Sequence, residues 1–213
     1  MVFKINNGMF SGIAIRINSS DISLIIANIV TIVYAYRFHW QIGDLLLVYW
    51  LQSIIIGIFQ IIKILGVKNS NAEGFIGDDS HPRPTTDKDK RQLALYFAVS
   101  YGLFHLAYFL FLFSSFRDLK GSLILGGVFL LNHLFSFFIN WRKDSLRRQN
   151  LAYIFLQPYA RIIPMHFFIL FGVFFAWIPI IYFQVLKTAA DIISHNIEHN
   201  YGPVVQINPS QPA

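Results

Sequence analysis

The sequence contains no cysteine. That excludes disulfides, thiolate metal sites, thiol nucleophiles and cysteine-held iron–sulfur clusters. Charge is scarce too, at 13% of residues, about half the share usual in soluble domains. No phosphate-binding glycine loop, Gly-x-Ser-x-Gly or His-Glu-x-x-His pattern occurs, and the first residues lack a signal-peptide cleavage pattern. What is abundant is apolar: 55% hydrophobic residues, 22 of them phenylalanine, and a mean hydropathy of +0.51. So little polar surface does not cover a soluble domain. The apolar residues run in long blocks and not in amphipathic stripes, which predicts an all-α, polytopic transmembrane helix bundle.

Six spans are expected, at about 22–36, 42–67, 92–116, 121–141, 161–176 and 178–200. The break between the last two rests on Trp177-Ile178-Pro179, because proline restricts its predecessor and starts helices well; without it the count is five. Residues 68–91 read as a cytoplasmic loop, 142–158 as an interfacial segment with basic residues among apolar ones, and 201–213 as a disordered tail. Six spans with an inside N-terminus put twelve Lys and Arg on the inside and three (Arg37, Arg117, Lys120) outside. Both termini are therefore expected to be cytoplasmic in a multi-pass protein of the cell membrane. The net charge of +6 then points to membrane lipid as partner and not to nucleic acid.

Ionisable residues inside spans are costly unless paired, so each is a candidate. They are Asp44, Lys63, His105, His133, His166, Lys187, Asp191 and His195, with Glu198 and His199 near the last helix end. Lys187, Asp191, His195 and His199 recur every four residues and form one slanting helical ridge. His133, His166, His195 and Asp191 fall in the inner half of the bilayer by residue count, with His105 and His199 as substitutes. Histidines with a carboxylate and no thiolate suit zinc, and less specifically copper or iron. A b-type haem between His133 and His166, or His105 and His133, is a further option. The plain alternative is that these side chains hydrogen-bond across helices and specify packing. Trp40, Trp141 and Trp177 sit near span ends as interfacial anchors, and Gly57, Gly102, Gly126 and Gly127 suit close helix approach.

Four patterns occur together: Tyr49-Trp50-Leu51-Gln52-Ser53 leading to Gly57; Tyr101-Gly102-Leu103-Phe104-His105; Arg161-Ile162-Ile163-Pro164-Met165-His166; and Lys187-Thr188-Ala189-Ala190-Asp191 with His195. With these the chain resembles an uncharacterised family of small polytopic archaeal and bacterial membrane proteins, a domain of unknown function. The resemblance implies that His105, His166, Lys187 and Asp191 occupy its signature positions. A looser similarity, through His195-x3-His199, is to the intramembrane zinc hydrolases of the alkaline ceramidase and adiponectin-receptor superfamily. The expected function is a metal-binding membrane protein, in the form of a zinc-dependent intramembrane hydrolase of a lipid or amphiphile. In that scheme His133, His166 and His195 ligate, Asp191 ligates or orients water, and Lys187 stabilises developing negative charge. The rivals are a non-enzymatic subunit of a larger membrane complex and a transporter or proton pathway.

Overall fold

The computed structural model describes residues 2–4, 14–16, 19–68, 70–71, 85–146, 149–171 and 180–196. Within them the chain forms six helices and four very short strands. Strands β1 (Val2–Lys4) and β2 (Ala14–Arg16) pair antiparallel, with Phe3 opposite Ile15. Helix α1 (Ser19–Arg37) follows, with Asp21 in its first turn, where helix dipoles favour negative charge. It ends where Trp40 N–H reaches back to the Ala35 carbonyl at 2.9 Å and His39 N–H to Tyr36 at 3.4 Å. This is the double bond of a Schellman stop, and it puts His39 in the left-handed region at φ 51°.

Helix α2 (Ile42–Gly66) starts at Gln41, whose N–H donates to Asp44 Oδ2 at 3.1 Å. Strand β3 (Ser70–Asn71) comes next. Helix α3 (Asp87–Leu112) is started by a reciprocal box: Asp89 N–H donates to Thr86 Oγ1, and Thr86 N–H donates to Asp89 Oδ2 at 2.8 Å. Helix α4 (Leu119–Leu146) is capped by Asp118, which accepts from Gly121 N–H at 2.8 Å. Strand β4 (Gln149–Asn150) pairs parallel with β3. Asn150 Oδ1 then accepts from Ala152 N–H to open α5 (Leu151–Phe171), and α6 (Ile180–Asn196) completes the bundle.

Four helices, α1 to α4 up to Trp141, are long and apolar enough to cross a membrane. The exposure pattern suits lipid. Ile, Leu and Phe side chains point outward, Leu103, Leu110, Leu131 and Phe138 among them, while Asp21, Asn28, Gln52, Ser122 and Asp191 are buried. Such an apolar exterior is unfavourable in water and neutral in hydrocarbon. The chain is a polytopic all-α bundle.

The helices extend beyond the apolar blocks. The third begins at Asp87 and not at 92, inside the expected loop, because the Thr86–Asp89 box nucleates it in a charged stretch. The expected interfacial segment 142–158 is divided between the end of α4, β4 and the first turns of α5. Charged residues end a hydrophobic run without ending backbone hydrogen bonding, so a helix continues past the hydrocarbon edge. The expected tail 201–213 and Trp177-Ile178-Pro179 lie outside the described residues.

Helix α2 is central and packs on α3, α4 and α5; α1 packs on α4 and α6, and α5 on α6. Close approach is set by small residues. A Cβ at Gly57 would lie 2.6 Å from the Tyr101 ring, and one at Gly126 would lie 3.0 Å from Leu51. At Gly102 and Gly127 a Cβ would meet nothing, so those two do not mark helix crossings. Trp40 is buried, with its indole N–H on Asp118 Oδ2 at 3.1 Å, so it acts as a core anchor.

Asp44, a candidate from its depth in the sequence, is a cap. Besides Gln41 N–H it accepts Arg117 N–H at 2.7 Å and Asp118 N–H at 2.8 Å. One carboxylate thus joins the α1–α2 and α3–α4 turns at one end of the bundle. Asp44→Ala should lower unfolding stability by about 2–3 kcal/mol, since three backbone donors lose a charged acceptor. Asp44→Asn keeps one acceptor oxygen and should lose less. Thermal unfolding of the detergent-solubilised chain measures both; equal losses would mean that the oxygen retained in Asp44→Asn carries no weight.

Candidate functional site

Helix α6 buries the polar ridge expected from its spacing. Lys187, Asp191 and His195 are 1%, 0% and 3% exposed, all turned into the bundle. The first two form an ion pair, Lys187 Nζ to Asp191 Oδ1 at 2.5 Å. Gln52 of α2 closes the ring. Its Oε1 accepts from Lys187 Nζ at 3.2 Å, and its Nε2 donates to Asp191 Oδ2 at 3.0 Å. The ammonium also lies 5.0 Å from the Tyr49 ring centre. Gln52 matches both charges because an amide offers a donor and an acceptor together.

One turn further on, His195 makes a second group. Its Nδ1 lies 2.7 Å from Asp21 Oδ1 and its Nε2 lies 3.1 Å from Ser136 Oγ. A carboxylate only accepts, so Nδ1 carries the proton shared with Asp21. Nε2 is then the acceptor, and the Ser136 hydroxyl donates to it. Asn140, one turn below Ser136 on α4, donates from Nδ2 to the Ser136 carbonyl at 3.0 Å. The same amide is 3.4 Å from Ser136 Oγ and 3.3 Å from Ser20 Oγ. Serine, histidine and carboxylate stand in series, contributed by α4, α6 and the first turn of α1. Asp21 is fully buried, and Ser136 is 7% exposed.

The other expected ligands are elsewhere. His105 Nδ1 bonds the Tyr101 carbonyl, and Trp50 donates to the His105 carbonyl. His166 bonds the Tyr108 hydroxyl. His133 packs beside the Phe59 ring. Among the described residues no three histidine or carboxylate side chains converge as a metal requires. The expected zinc set of His133, His166, His195 and Asp191 is therefore not assembled there. His195 has both ring nitrogens engaged by Asp21 and Ser136, and Asp191 is held by Lys187 and Gln52. His199 lies outside the described residues.

A profile for a family of unknown function (DUF6498) matches residues 15–206. The chain belongs to that family. The match spans every residue of both polar groups, from Asp21 to His195. No curated protein and no solved structure matched the chain. The similarity to ceramidase-type zinc hydrolases thus finds no support in these comparisons, and their His-x3-His feature here divides between a serine-bound His195 and an undescribed His199.

Asp21, Ser136 and Asn140 are not among the residues singled out in the sequence. In the sequence Asp21 follows Asn18-Ser19-Ser20, residue types common at helix starts. On α4 the available signal is Asn132, Ser136 and Asn140 at four-residue spacing, all buried, a neutral counterpart of the α6 ridge.

The ion pair gives a direct stability test. Lys187→Met removes the counter-charge from buried Asp191 and should cost about 3–5 kcal/mol. The double variant Lys187→Met/Asp191→Leu removes both charges and should recover most of that loss. Chemical unfolding in mixed micelles reads this; a double variant as unstable as the single one would show that the charges contribute nothing specific.

Proposed function

We propose that this protein is an intramembrane hydrolase or acyltransferase that acts on a lipid or other amphiphilic acyl compound through Ser136. The observation that carries the reading is the series of contacts from Ser136 Oγ to His195 Nε2 at 3.1 Å and from His195 Nδ1 to Asp21 Oδ1 at 2.7 Å. It keeps the hydrolase class and amphiphilic substrate expected from the sequence and replaces the metal-bound water with a serine nucleophile.

The chemistry follows from the contacts. A serine hydroxyl is a weak nucleophile until a base takes its proton as it attacks. His195 is in place as that base. Asp21 fixes the ring tautomer and stabilises the imidazolium that forms. Attack of Oγ on an acyl carbonyl gives a tetrahedral oxyanion, and the Asn140 amide, 3.4 Å from Ser136 Oγ, is a donor that could turn to it. Collapse expels the leaving alcohol or amine, which takes the proton from His195. Water, or an acceptor alcohol, then attacks the acyl-serine with His195 again as base. By the charge count the site lies toward the cytoplasmic side of the cell membrane, where the α1 N-terminus and α6 C-terminus meet.

Purified protein in nanodiscs should be labelled on Ser136 by an alkyl fluorophosphonate and should hydrolyse a p-nitrophenyl acyl ester. Ser136→Ala should abolish labelling. Asp21→Asn, which keeps the shape but removes the charge, should slow labelling by about 10³-fold or more. Peptide mapping locates the label; a folded wild-type chain that resists the reagent, or labelling that survives in Ser136→Ala, would refute the assignment.

A second reading is favoured by the continuity of the α6 face, where two buried acid–base pairs lie four residues apart. That is the form of a proton pathway. Proteoliposomes with a pH dye separate the two readings: conduction that persists in Ser136→Ala and stops in Asp191→Asn would support the pathway.

A further inference from the structure

Helix α4 carries more than the serine along one line. Ser136, Asn140 and Lys143 stand at i, i+4 and i+7, within about 60° of one another round the axis. Lys143 therefore lies about 10 Å further along the helix than Ser136, toward the cytoplasmic end. The serine is also the outermost member of its group: Asp21 is 0% exposed, His195 3% and Ser136 7%. Ile139, which is exposed, sits only about 60° round the helix from it. Ser136 thus borders the lipid-facing strip of α4 formed by Leu131, Phe135 and Ile139.

Two walls of the site give its depth. The apolar stretch of α4 ends at Trp141. Ser136 is about 7–8 Å inside that end by helical rise. The headgroup layer on each side of a bilayer is about 5–8 Å thick. On the other wall, Asp21 immediately precedes the apolar run of α1 that starts at Ile22. Both markers put the serine at the hydrocarbon edge, where the acyl esters of membrane lipids lie. Lys143 is past Trp141 and so falls at the level of their headgroups.

We infer that the acyl compound taken by this site is an anionic glycerophospholipid, with its ester at Ser136 and its phosphate on Lys143; this rests on the serine chemistry proposed above. The glycerol separates ester from phosphate by a few bonds, and a lysine stem is long enough to cover the remainder. The acyl chain lies along Leu131, Phe135 and Ile139, already in lipid. A diacylglycerol offers the same ester and nothing for the ammonium, whereas an anionic headgroup matches both it and the basic cytoplasmic surface. Transfer of the acyl group to Ser136 Oγ breaks the ester C–O bond, and the departing lysophospholipid takes the proton from His195. Water then cleaves the acyl-serine and releases a fatty acid.

The test disperses phosphatidylglycerol or diacylglycerol with the same acyl chains in nanodiscs of a non-hydrolysable ether lipid holding the full chain, and reads fatty acid release by mass spectrometry. Phosphatidylglycerol should be cleaved with a kcat/KM about tenfold higher, the weight of one charge-assisted contact. Lys143→Gln should remove that preference through KM, and Lys143→Arg should keep it. Lys68→Gln makes the same charge change at an exposed position after α2 and should also keep it. Equal cleavage of the two lipids, a preference that survives Lys143→Gln, or one lost equally in Lys68→Gln would each overturn the assignment. A p-nitrophenyl acyl ester run on the wild type separates the two levels: its hydrolysis without a phospholipid preference sinks this inference alone, and no turnover of any ester sinks the serine reading with it. If Lys143→Gln fails to fold, the lipid comparison on the wild type and on Lys68→Gln decides the matter.

Discussion

Hydrocarbon offers a polar side chain no partner, so each one at membrane depth must be matched within the bundle. Helix α6 buries three polar side chains in the bundle, Lys187, Asp191 and His195. Its position is fixed by the groups that answer. Gln52 matches the ion pair from α2, while Asp21 and Ser136 match the imidazole from α1 and α4. Apolar packing between helices is weakly directional in lipid, because the tails compete equally for the same surfaces. The polar contacts therefore determine which helices are neighbours and in which register. A one-residue rotation of α6 would turn Asp191 toward lipid at a cost of several kcal/mol.

The ridge itself was legible because four-residue spacing of charged residues in an apolar run has few other readings. Its partners were not. Gln52 and Ser136 are neutral, and single neutral polar residues are common in spans and carry no direction. Asp21 follows Ser19-Ser20, where helix capping already accounts for it. The pairing of Asp21 with His195 crosses 174 residues of sequence, and no local pattern encodes so distant a contact. His133 and His166 read as metal ligands because histidine is rare in spans. Rarity marks a residue that needs a partner, and for His166 the Tyr108 hydroxyl is that partner. Helix existence was legible and helix length was not. Hydropathy measures the hydrocarbon thickness, whereas Thr86–Asp89 and Asn150 start helices outside it.

The two polar groups on α6 differ in what they leave available. In the first, ammonium, carboxylate and amide form a closed ring in which each charge faces its opposite. In the second, the Asp21 carboxylate is set in the first turn of α1, where peptide dipoles and helical N–H groups favour it. His195 lies between that carboxylate and a hydroxyl, so a proton gained at Nε2 would be balanced by Asp21. His195 has a carboxylate on one nitrogen and a serine hydroxyl on the other, and that pairing is what supports the proposed serine chemistry.

The two polar groups are also joined on one helix. Lys187, Asp191 and His195 share one rigid helix, so a shift of α6 that loosened Gln52 would displace His195 from Ser136. A hydrogen bond at 3.1 Å weakens steeply over a few tenths of an ångström. The ion pair, one turn away and closed on α2, holds the imidazole within that tolerance. Helix α2 meanwhile carries Gln52 on the α6 side and Trp50 on the α3 side, where its indole N–H donates to the His105 carbonyl, so one helix ties both neighbours by polar contacts.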